Sequence, residues 1–547
     1  MKNYIQVNNF RKYISTPKLE LNDLNFFVGT NSSGKSTLVK AYMLIVAYIT
    51  EDKFYDIDFN SSAYQNLNIQ DFNRLKSKFT DSDSNIEIKL ALNNFVFRLE
   101  LMPHENSNYA KVLNYSVQDI LNDIIYEYKY VKGNKETMVF QTDSSGNPIY
   151  EEYLSEEIFQ IRLINNEKYV DEVKKLIDFL IQQEENEWAA AIYQKDLEEI
   201  SKVTLFDDVI ISGNTGFINY NSFKREANSL LSYNLFNVPP KDIKIDDLLN
   251  YKTNIQKIFR KYRTLNINNK VQGSIDPNTV FSVSLASLFG EVDKVNLSNG
   301  MELPSKTKEL FKLIFSLKNV FLPLTYKKYT NLNSMLDKSN DLAQLLHIYY
   351  NSNRNNKEKQ IRDRFIEKWL TKNYFNIGEA FEINFYGGEA YEVLIHERGE
   401  KIPLVDKGTG NVQLFKILLL IATHIIQVDK NLKTTIILEE PELNLHPSLQ
   451  SKLADLIVET YKNHGLKFII ETHSEYLIRR LQVLAIQNKL DRDKISITYF
   501  PTELDQEPYN ININKDGSLD KNFGSGFFDE ASNHTLELIK FKRLSQN

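Results

Sequence analysis

Apolar and polar residues alternate with a period of two in several stretches near the start of the chain. Residues 85–92 and 95–101 carry an apolar side chain at nearly every second position, which is typical of half-buried antiparallel strands. Shorter strands are predicted at residues 5–10, 18–21 and 26–28. A helical pattern covers residues 37–49. We therefore expect a β-rich N-terminal lobe over residues 1–115.

The pattern changes after this lobe, where a long charged segment between Glu156 and Lys202 has apolar residues at helical spacing. One apolar face is formed by Val170, Val173, Ile177 and Leu180. The charges of this segment are interpreted as a solvated face. It lacks the many unbroken heptads of a long coiled coil. We expect a mostly helical insertion over residues 116–305.

From residue 306 short apolar stretches alternate with amphipathic ones. Strands are predicted at residues 381–385, 391–396, 434–438 and 467–471. Helices are predicted at residues 308–318, 362–371, 412–428, 447–463 and 474–487. Strands that alternate with helices form largely parallel sheets covered by helices. The predicted fold class is therefore α/β, with a C-terminal lobe over residues 306–500 and a short C-terminal domain over residues 501–547.

The apolar run over residues 24–28 leads into a loop that fits the pattern G-x-x-x-x-G-K-[ST]. Its candidate phosphate ligands are Gly29, Asn31, Ser32, Ser33, Gly34, Lys35, Ser36 and Thr37. A strand, a glycine loop and a helix in this order bring backbone N–H groups and the positive end of a helix dipole to one anion. Lys35 is expected to reach the β- and γ-phosphates, and the Ser36 hydroxyl is expected to ligate Mg²⁺. The loop predicts a nucleoside triphosphate site.

Composition excludes several classes of protein. A chain of 547 residues is expected to form more than one lobe, and 42% hydrophobic with 25% charged residues is typical of a globular protein. The absence of cysteine excludes disulfides, Cys–zinc sites, iron–sulfur clusters and thiol catalysis. No apolar run approaches the ~20 residues of a transmembrane helix, so we expect a cytoplasmic protein with no membrane contact. The net charge of −6 argues against a nucleic-acid coat protein but leaves room for a local basic groove.

Two apolar strands of the C-terminal lobe end in residues suited to nucleotide chemistry. In a P-loop fold the strand beside the phosphate loop ends in an acid that holds Mg²⁺, and Glu439 fits that role. Glu440 is then placed to accept a proton from the attacking water as general base. The second strand leads to His473, at the edge of the sheet where ligands bind in open α/β folds. We expect His473 to contact the γ-phosphate or the attacking water.

The order of these motifs resembles that of ABC-type P-loop ATPases of the SMC, RecF and OLD group. The resemblance is carried by residues 29–37, 406–413, 436–446 and 471–474. Within this group the chain is similar to AAA-type ATPases of bacterial antiphage defence, of the retron and Septu type, which have a short C-terminal domain. The resemblance covers roughly residues 1–115 and 306–530. It implies a Mg²⁺-dependent enzyme that converts ATP and water to ADP and phosphate.

In that group ATP is held between two heads, which implies a homodimer or higher oligomer. A signature segment of one head contacts the γ-phosphate bound by the other. The residues at that position here are Gly408, Gly410, Asn411 and Gln413. Where relatives have a hydroxyl residue before the glutamine, this chain has Val412, which leaves the hydrolysis rate open. The glutamine of the loop between the lobes, a Mg²⁺ ligand in the group, is assigned to Gln70.

The sequence does not predict a nuclease site. The stretch after His473 has no Asp-x-Asp at the end of a strand, which a Toprim domain requires, and the chain has no HNH pattern. We therefore expect a separate effector protein, a nuclease or a toxin encoded nearby. Contact with DNA or RNA is an open alternative at Arg260–Arg263 and Tyr326–Tyr329, basic clusters that also contain tyrosine. A solvated face is the other interpretation of these clusters.

The leading hypothesis is an ATPase whose heads close around ATP and open after hydrolysis. By resemblance, the motion of the 116–305 insertion then senses a trigger and regulates the effector in antiviral defence. One alternative is a non-hydrolysing, ATP-locked scaffold that holds the effector inactive. A second alternative is a DNA-repair ATPase of the RecF kind.

Overall fold

A computed structural model gives the fold of residues 1–50, 57–164 and 317–544 with short gaps, together with residue 313 and the strand at 209–212. The chain forms two compact units. Unit 1 comprises Met1–Lys2, Val7–Ile14 and Ala47–Ile314. Unit 2 comprises Asn3–Gln6, Ser15–Val46 and Phe315–Asn547.

The described elements are numbered in chain order. The strands are β1 Tyr4–Phe10, β2 Tyr13–Ser15, β3 Leu19–Glu20, β4 Leu24–Gly29, β5 Ile57–Asp58, β6 Ile86–Leu92, β7 Phe95–Pro103, β8 Tyr109–Asp119, β9 Ile124–Lys132, β10 Lys135–Thr142, β11 Pro148–Leu154, β12 Glu157–Ile164, β13 Val209–Ser212, β14 Leu317–Leu322, β15 Asn333–Ser334, β16 Ala380–Tyr386, β17 Ala390–Glu397, β18 Glu400–Pro403, β19 Lys433–Glu439, β20 Lys467–Thr472, β21 Ile495–Phe500 and β22 Tyr509–Ile511. The helices are α1 Lys35–Thr50, α2 Asp341–Ser352, α3 Asn356–Leu370, α4 Thr409–His424, α5 Pro447–His464, α6 Glu475–Ile486 and α7 Glu530–Leu544.

Most of the described part of unit 1 belongs to one sheet, in which β6, β7, β8, β9, β12 and β13 pair antiparallel. Ile88 of β6 lies opposite Leu99 of β7, and both side chains are fully buried. This register keeps the alternate apolar residues of both strands on the buried face, and a slip by one residue would expose them. The strands predicted at residues 85–92 and 95–101 are confirmed.

The prediction of a mostly helical insertion from residue 116 is wrong for its first part. β8 continues to Asp119, and β9 to β12 occupy much of residues 124–164. Residues 159–163 alternate apolar and polar side chains, which is a strand signal, but the charged helical periodicity that follows was extended over them. The apolar face of Val170–Leu180 lies outside the described residues, as does most of the segment from 165 to 312.

The main sheet of unit 2 has the order β14, β19, β20, β4, β21 and β22, and its first five strands are parallel. This confirms the largely parallel sheet predicted from alternating strands and helices. β4, from the N-terminal part of the chain, lies inside this sheet. The helix predicted over residues 308–318 is wrong at its end, because β14 already begins at Leu317. The strand ends that carry the candidate site therefore belong to one sheet.

The strand order corrects one assumption about the site. β19, which ends at Glu439, was expected beside the strand that leads into the phosphate loop. Instead β20 lies between β19 and β4. A hydrophobic pattern shows that a strand is present, but it does not show which neighbour the crossover connection selects. Of the two strands that flank β4, β20 and β21, it is β20 that ends in an acid, with Glu471 followed by Thr472.

Helix α4 is a centre of packing in unit 2. All its residues from Val412 to Ala422 are buried, including the polar Gln413 and Lys416. A helix that is apolar on every side is expected inside a core, and α2 and α3 pack against it. The helix predicted over residues 412–428 is confirmed in its main part, but it starts earlier, at Thr409, and ends earlier, at His424. No helix in the described ranges is long and apolar enough to cross a membrane.

Aromatic side chains attach the segment after β22 to unit 2. The ring centroid of Tyr499 in β21 lies 5.6 Å from that of Phe523 and 5.5 Å from that of Phe527. Phe527 and Phe528 stack with their centroids 4.1 Å apart. Phe523, Phe527 and Phe528 therefore pack on the same core as β21, and α7 begins at Glu530.

Candidate nucleotide-binding site

The phosphate loop connects β4 to α1 within unit 2. β4 is buried along its whole length, and α1 begins at Lys35. Gly34 has a φ of +109°, where a side chain would strain the backbone. At Gly29 an added Cβ would lie 2.6 Å from the carbonyl oxygen of Phe500 in β21. The two glycines of the motif therefore satisfy two different requirements, backbone conformation at one end and close packing at the other.

The predicted phosphate ligands inside this loop differ in exposure. Asn31 and Ser32 are exposed, whereas Ser33 and Thr37 are buried. The Thr37 N–H donates a hydrogen bond of 3.1 Å to the carbonyl oxygen of Gly34, which joins the loop to the first turn of α1. The tip of the loop is thus accessible to a ligand, while its end is fixed by the helix.

Lys35 connects the loop to a second predicted site residue. Its Nζ donates to the carbonyl oxygens of Gly29 at 3.0 Å and Thr30 at 2.8 Å, and lies 3.0 Å from Nε2 of His473. The side chain is only 2% exposed. A Lys ammonium group offers three N–H donors, which suits phosphate oxygens equally well. Lys35 and His473, both predicted to act on the nucleotide, are therefore in contact.

Three parallel strands end side by side at this edge of the sheet. Glu439 of β19 pairs with Glu471 of β20, and Glu471 pairs with Phe27 of β4. The Ser36 hydroxyl donates a hydrogen bond of 2.7 Å to Oε1 of Glu471. The carboxyl ends of parallel strands are where open α/β sheets bind ligands. The structure places Glu471 against the hydroxyl that was predicted to ligate Mg²⁺.

The carboxyl group of Glu471 is held in an unusual environment. Burial raises its pKa to about 7, although the hydrogen bond from Ser36 and the nearby Lys35 ammonium act in the opposite direction. Its second oxygen, Oε2, is buried and has no hydrogen-bond partner within the described residues. A buried carboxylate oxygen without a partner is costly, and a cation is one group that satisfies it.

These residues fit a magnesium ion that arrives with a triphosphate. Oxygen donors are present in the Ser36 hydroxyl and in the carboxyl groups of Glu439 and Glu471, which end adjacent strands. In the part of the chain that the structure describes, no group of three or more Asp, Glu, His or Cys side chains is arranged to hold a metal by itself. Mg²⁺ is commonly held by one or two carboxylates and completes its shell with phosphate oxygens and water.

Glu440 and His473 form a second contact at this edge. Oε1 of Glu440 lies 3.4 Å from Nε2 of His473, and the hydrogen bond with His473 lowers the pKa of Glu440. Glu440 is therefore ionised at neutral pH and able to accept a proton. Its φ of +43° is left-handed, a conformation that costs a non-glycine residue about 1–3 kcal/mol and is often found at active sites. The backbone N–H of Glu440 donates to the carbonyl oxygen of Glu471 at 2.8 Å.

The predicted signature segment forms the start of α4. Gly408 has a φ of +94° and, with Thr409, is exposed at the N-terminus of the helix, where an anion is favoured. The Asn411 side chain donates to the carbonyl oxygen of Lys407 at 2.6 Å. At Gly410 an added Cβ would lie 2.5 Å from the carbonyl oxygen of Asn444. The helix start is therefore packed directly on the turn that follows Glu440.

Gln413, the last residue of the signature segment, is turned into the core. Its Oε1 accepts a hydrogen bond of 3.2 Å from Nζ of Lys416, which also lies 2.5 Å from a carboxylate oxygen of Asp341 in α2. Lys416 is fully buried, and burial lowers its pKa. Contact between Gln413 and a partner's nucleotide requires the bond to Lys416 to break. Because α4 is apolar on nearly every side, its hydrophobic pattern does not show that the Gln413 side chain faces the core.

The other predicted site residues, Gln70 and the two basic clusters, have no described contact with the strand ends that carry Glu439 and Glu471. Gln70 is an exposed residue of unit 1 between β5 and β6, and its assignment as a Mg²⁺ ligand stays a prediction. The basic clusters Arg260–Arg263 and Tyr326–Tyr329 lie outside the described residues. Sequence reasoning missed Glu471 as a site residue. The available signal was that Glu471 ends the second apolar strand as Glu439 ends the first.

The raised pKa of Glu471 predicts how stability depends on pH in the absence of nucleotide. Between pH 4.5 and about 7 the unfolded chain ionises this group while the folded chain keeps its proton. The contribution of Glu471 to stability is therefore full below pH 4.5, falls as pH rises through this window, and is constant above it. As pH rises from 5 to 8, the free energy of unfolding of Glu471→Gln is expected to increase relative to that of the wild type by on the order of 1–3 kcal/mol.

Urea unfolding of both proteins at pH 5, 6, 7 and 8, without nucleotide or divalent cation, measures this difference. Comparing the two proteins at each pH cancels the titration of the groups that do not interact with Glu471. If the free energies of unfolding of the wild type and the variant differ by the same amount at every pH, the prediction is wrong.

In the comparison with known proteins, two family models match successive parts of the chain. Residues 1–478 match the family model described as "AAA ATPase domain", and residues 490–538 match the one described as "Protein of unknown function (DUF3696)". The comparison with curated proteins gave no match.

Several SMC head domains are among the solved structures that match. The Smc head domain from Pyrococcus furiosus, bound to the C-terminal domain of ScpA, is 12% identical; the alignment covers 98% of each chain, with a TM-score of 0.31. The SMC head domain from Thermotoga maritima is 11% identical over 94% of this chain and 100% of that one, with a TM-score of 0.30. The Smc head domain with a coiled coil and joint from Pyrococcus yayanosii is 11% identical over 94% and 97%, with a TM-score of 0.32.

Proposed function

Because the chain belongs to the family of AAA ATPase domains, we propose that unit 2 binds ATP with Mg²⁺ and hydrolyses it to ADP and phosphate. The observation that carries the proposal is the chain of contacts from the phosphate loop to an ionised acid. Lys35 lies 3.0 Å from His473, and His473 lies 3.4 Å from Glu440. These three side chains come from α1, the end of β20 and the end of β19, so only the folded sheet brings them together.

Each of these residues has a distinct part in the proposed reaction. Lys35 exchanges its backbone acceptors for β- and γ-phosphate oxygens and neutralises part of their charge. Water attacks the γ-phosphorus, the bond from that phosphorus to the β–γ bridging oxygen breaks, and Glu440 accepts the proton that the water loses. Without nucleotide, Nε2 of His473 lies against the Glu440 carboxylate, and when ATP is bound this nitrogen turns its N–H to the γ-phosphate. Mg²⁺, held by Ser36 with Glu439 or Glu471, supplies positive charge to the phosphate oxygens.

Steady-state phosphate release by the full chain, with Mg²⁺ and with EDTA, tests this function. Mg²⁺-dependent release supports the proposal. Tight ATP binding without release favours the alternative of a non-hydrolysing, ATP-locked scaffold. One observation favours that alternative: Gln413, the residue expected to reach a partner's nucleotide, is buried and bonded to Lys416. Release that rises only with DNA ends or gaps favours the RecF-like alternative.

We further propose that two chains close around ATP, with the start of α4 in one chain facing the nucleotide of the other. The exposure of Gly408 and Thr409 at the N-terminus of a 16-residue helix supports this arrangement. The positive end of the helix dipole at this exposed N-terminus favours a γ-phosphate there. The arrangement leaves each phosphate loop incomplete until a second chain is bound.

A negative charge at the start of α4 is expected to weaken this closure. In a Glu440→Gln background with ATP and Mg²⁺, Thr409→Glu should raise the dissociation constant of the dimer by about tenfold or more, because its carboxylate faces the phosphate charge of the partner. The same substitution places an acid in the first turn of a helix, which stabilises the fold. Light scattering after size-exclusion chromatography measures the dimer.

Thr409→Ser is the matched control, since it keeps the hydroxyl and adds no charge. Its dimer should form as in the parent protein. If the Thr409→Glu protein dimerises at the same protein concentration as its Glu440→Gln parent, the proposed position of α4 is wrong.

For the cellular role, we propose that closure and opening of this ATPase regulate a separate effector, a nuclease or toxin, in antiviral defence. The support is the order of motifs at residues 29–37, 406–413 and 436–474, which resembles that of defence ATPases. The genes next to this one test the proposal. An adjacent nuclease, reverse transcriptase or toxin gene supports it, whereas DNA-repair genes alone contradict it.

A further inference from the structure

Glu471 opens the motif that contains His473, but no role has been assigned to it, although it contacts Ser36 at the centre of the site. We propose that Glu471 is a carboxylate of the cation site: it orients the Ser36 hydroxyl with one oxygen and lends the other, directly or through water, to the divalent cation that accompanies ATP. This inference rests on the proposed function and names a residue of that same site.

The first support is the position of Glu471 in the sheet. β20 is the strand next to β4, and Glu471 pairs with Phe27, two residues before the phosphate loop begins. Glu439, the acid that the sequence pattern favoured, lies one strand farther from β4. Glu471, on a strand adjacent to β4, contacts Ser36 at the start of α1.

The second support is the direction of the hydrogen bond at Ser36. A serine oxygen that ligates a cation does so through a lone pair, so its proton must point to another acceptor. The acceptor in this structure is Oε1 of Glu471, at 2.7 Å. The bond therefore leaves the lone pairs of Ser36 for the cation. It also fixes the position of the carboxyl group relative to the hydroxyl.

The third support is the remaining oxygen of the same group. Glu471 is only 4% exposed, and its Oε2 has no hydrogen-bond partner within the described residues. The Lys35 ammonium forms an ion pair with Oε1 at 3.9 Å, which leaves Oε2 without a hydrogen bond in the described part of the chain. A buried carboxylate oxygen without a hydrogen bond is costly, and a divalent cation beside Ser36 would bind it. The acids that end adjacent strands, Glu439 and Glu471, then provide the two carboxylates that a Mg²⁺ site commonly takes from protein.

Glu471→Gln separates the two tasks of this residue. The amide oxygen of glutamine still accepts the Ser36 proton, but the side chain is neutral and a poorer cation ligand. We expect the affinity for Mn²⁺, measured by electron paramagnetic resonance with a non-hydrolysable ATP analogue bound, to fall about 10–100-fold. ATP affinity in EDTA should stay within about threefold of the wild type, since no cation contributes there.

Glu475→Gln is the matched control. It removes one negative charge four residues farther along the chain, where Glu475 pairs with Arg479 on α6 and does not touch Ser36. Its Mn²⁺ affinity should equal that of the wild type, so that a loss confined to Glu471→Gln reports a local contact and not the net charge.

The outcomes distinguish this inference from the proposed function. Wild-type Mn²⁺ affinity in Glu471→Gln overturns the inference and leaves the ATPase proposal intact. Loss of ATP binding in EDTA by this variant also overturns it, because the residue would then serve the phosphate loop and not the cation. Absence of ATP binding by the wild-type chain overturns the proposed function itself.

Discussion

Replacement of Lys35 by alanine is expected to lower the affinity for ATP by about 100-fold or more. The ammonium group is the cation placed inside the phosphate loop, with Nζ within 3.0 Å of two loop carbonyls and of His473. Two hydrogen bonds from a charged donor to phosphate oxygens contribute about 1.5–3 kcal/mol each, and about 1.4 kcal/mol corresponds to a factor of ten. Isothermal titration calorimetry with ATP and Mg²⁺ measures the loss.

The control for this experiment is Lys40→Ala, a lysine of the same helix that is only partly buried. It should bind ATP as the wild type does. Lys35→Ala also removes a donor from the carbonyl oxygens of Gly29 and Thr30, so circular dichroism and thermal unfolding must show that the variant is folded. ATP binding by a folded Lys35→Ala within a few-fold of the wild type would mean that this loop is not the nucleotide site.

Glu440→Gln is expected to lower the rate of phosphate release by about 10²–10⁴-fold while ATP binding persists. Glutamine keeps the size of the side chain and a contact with His473, but its amide does not accept a proton from water at neutral pH. Because the glutamine amide does not titrate, no change of pH between 6 and 8 should restore turnover. Because the chain still binds ATP, the closed dimer should accumulate.

Phosphate release and light scattering on the same samples check both parts of this prediction. Glu459→Gln, which changes an acid in a surface ion pair with Lys368 on the same unit, is the control and should turn over normally. Release at the wild-type rate by Glu440→Gln would show that another group accepts the proton. Lost release without any dimer would support the role of Glu440 but not the closure proposed here.

The sequence predicted the parts of the fold whose signal is local. The phosphate loop is defined by spacing within nine residues, and the strands at 85–92 and 95–101 by their alternation. The parallel sheet followed from strands that alternate with helices. These features depend on neighbours in the chain, so a single sequence is sufficient to find them.

Features that depend on spatial neighbours were not predicted. The order of β19 and β20 is decided by crossover connections, and this order brings Glu471 to Ser36. The burial of Gln413 is decided by Lys416 and Asp341, two polar residues that meet only in the folded core. The strands in residues 124–164 pair with neighbouring strands, which the charged helical periodicity farther along the chain does not indicate.

The close packing of Gly410 on Asn444 limits the substitutions that this site tolerates during evolution. With an added Cβ only 2.5 Å from the Asn444 carbonyl oxygen, any larger residue at position 410 pushes against the backbone that follows Glu440. A substitution there is tolerated only if the turn shifts as well, and such a shift displaces the acid. Natural variants of this chain should therefore alter the two segments jointly or not at all, and an engineer who transplants one should transplant both.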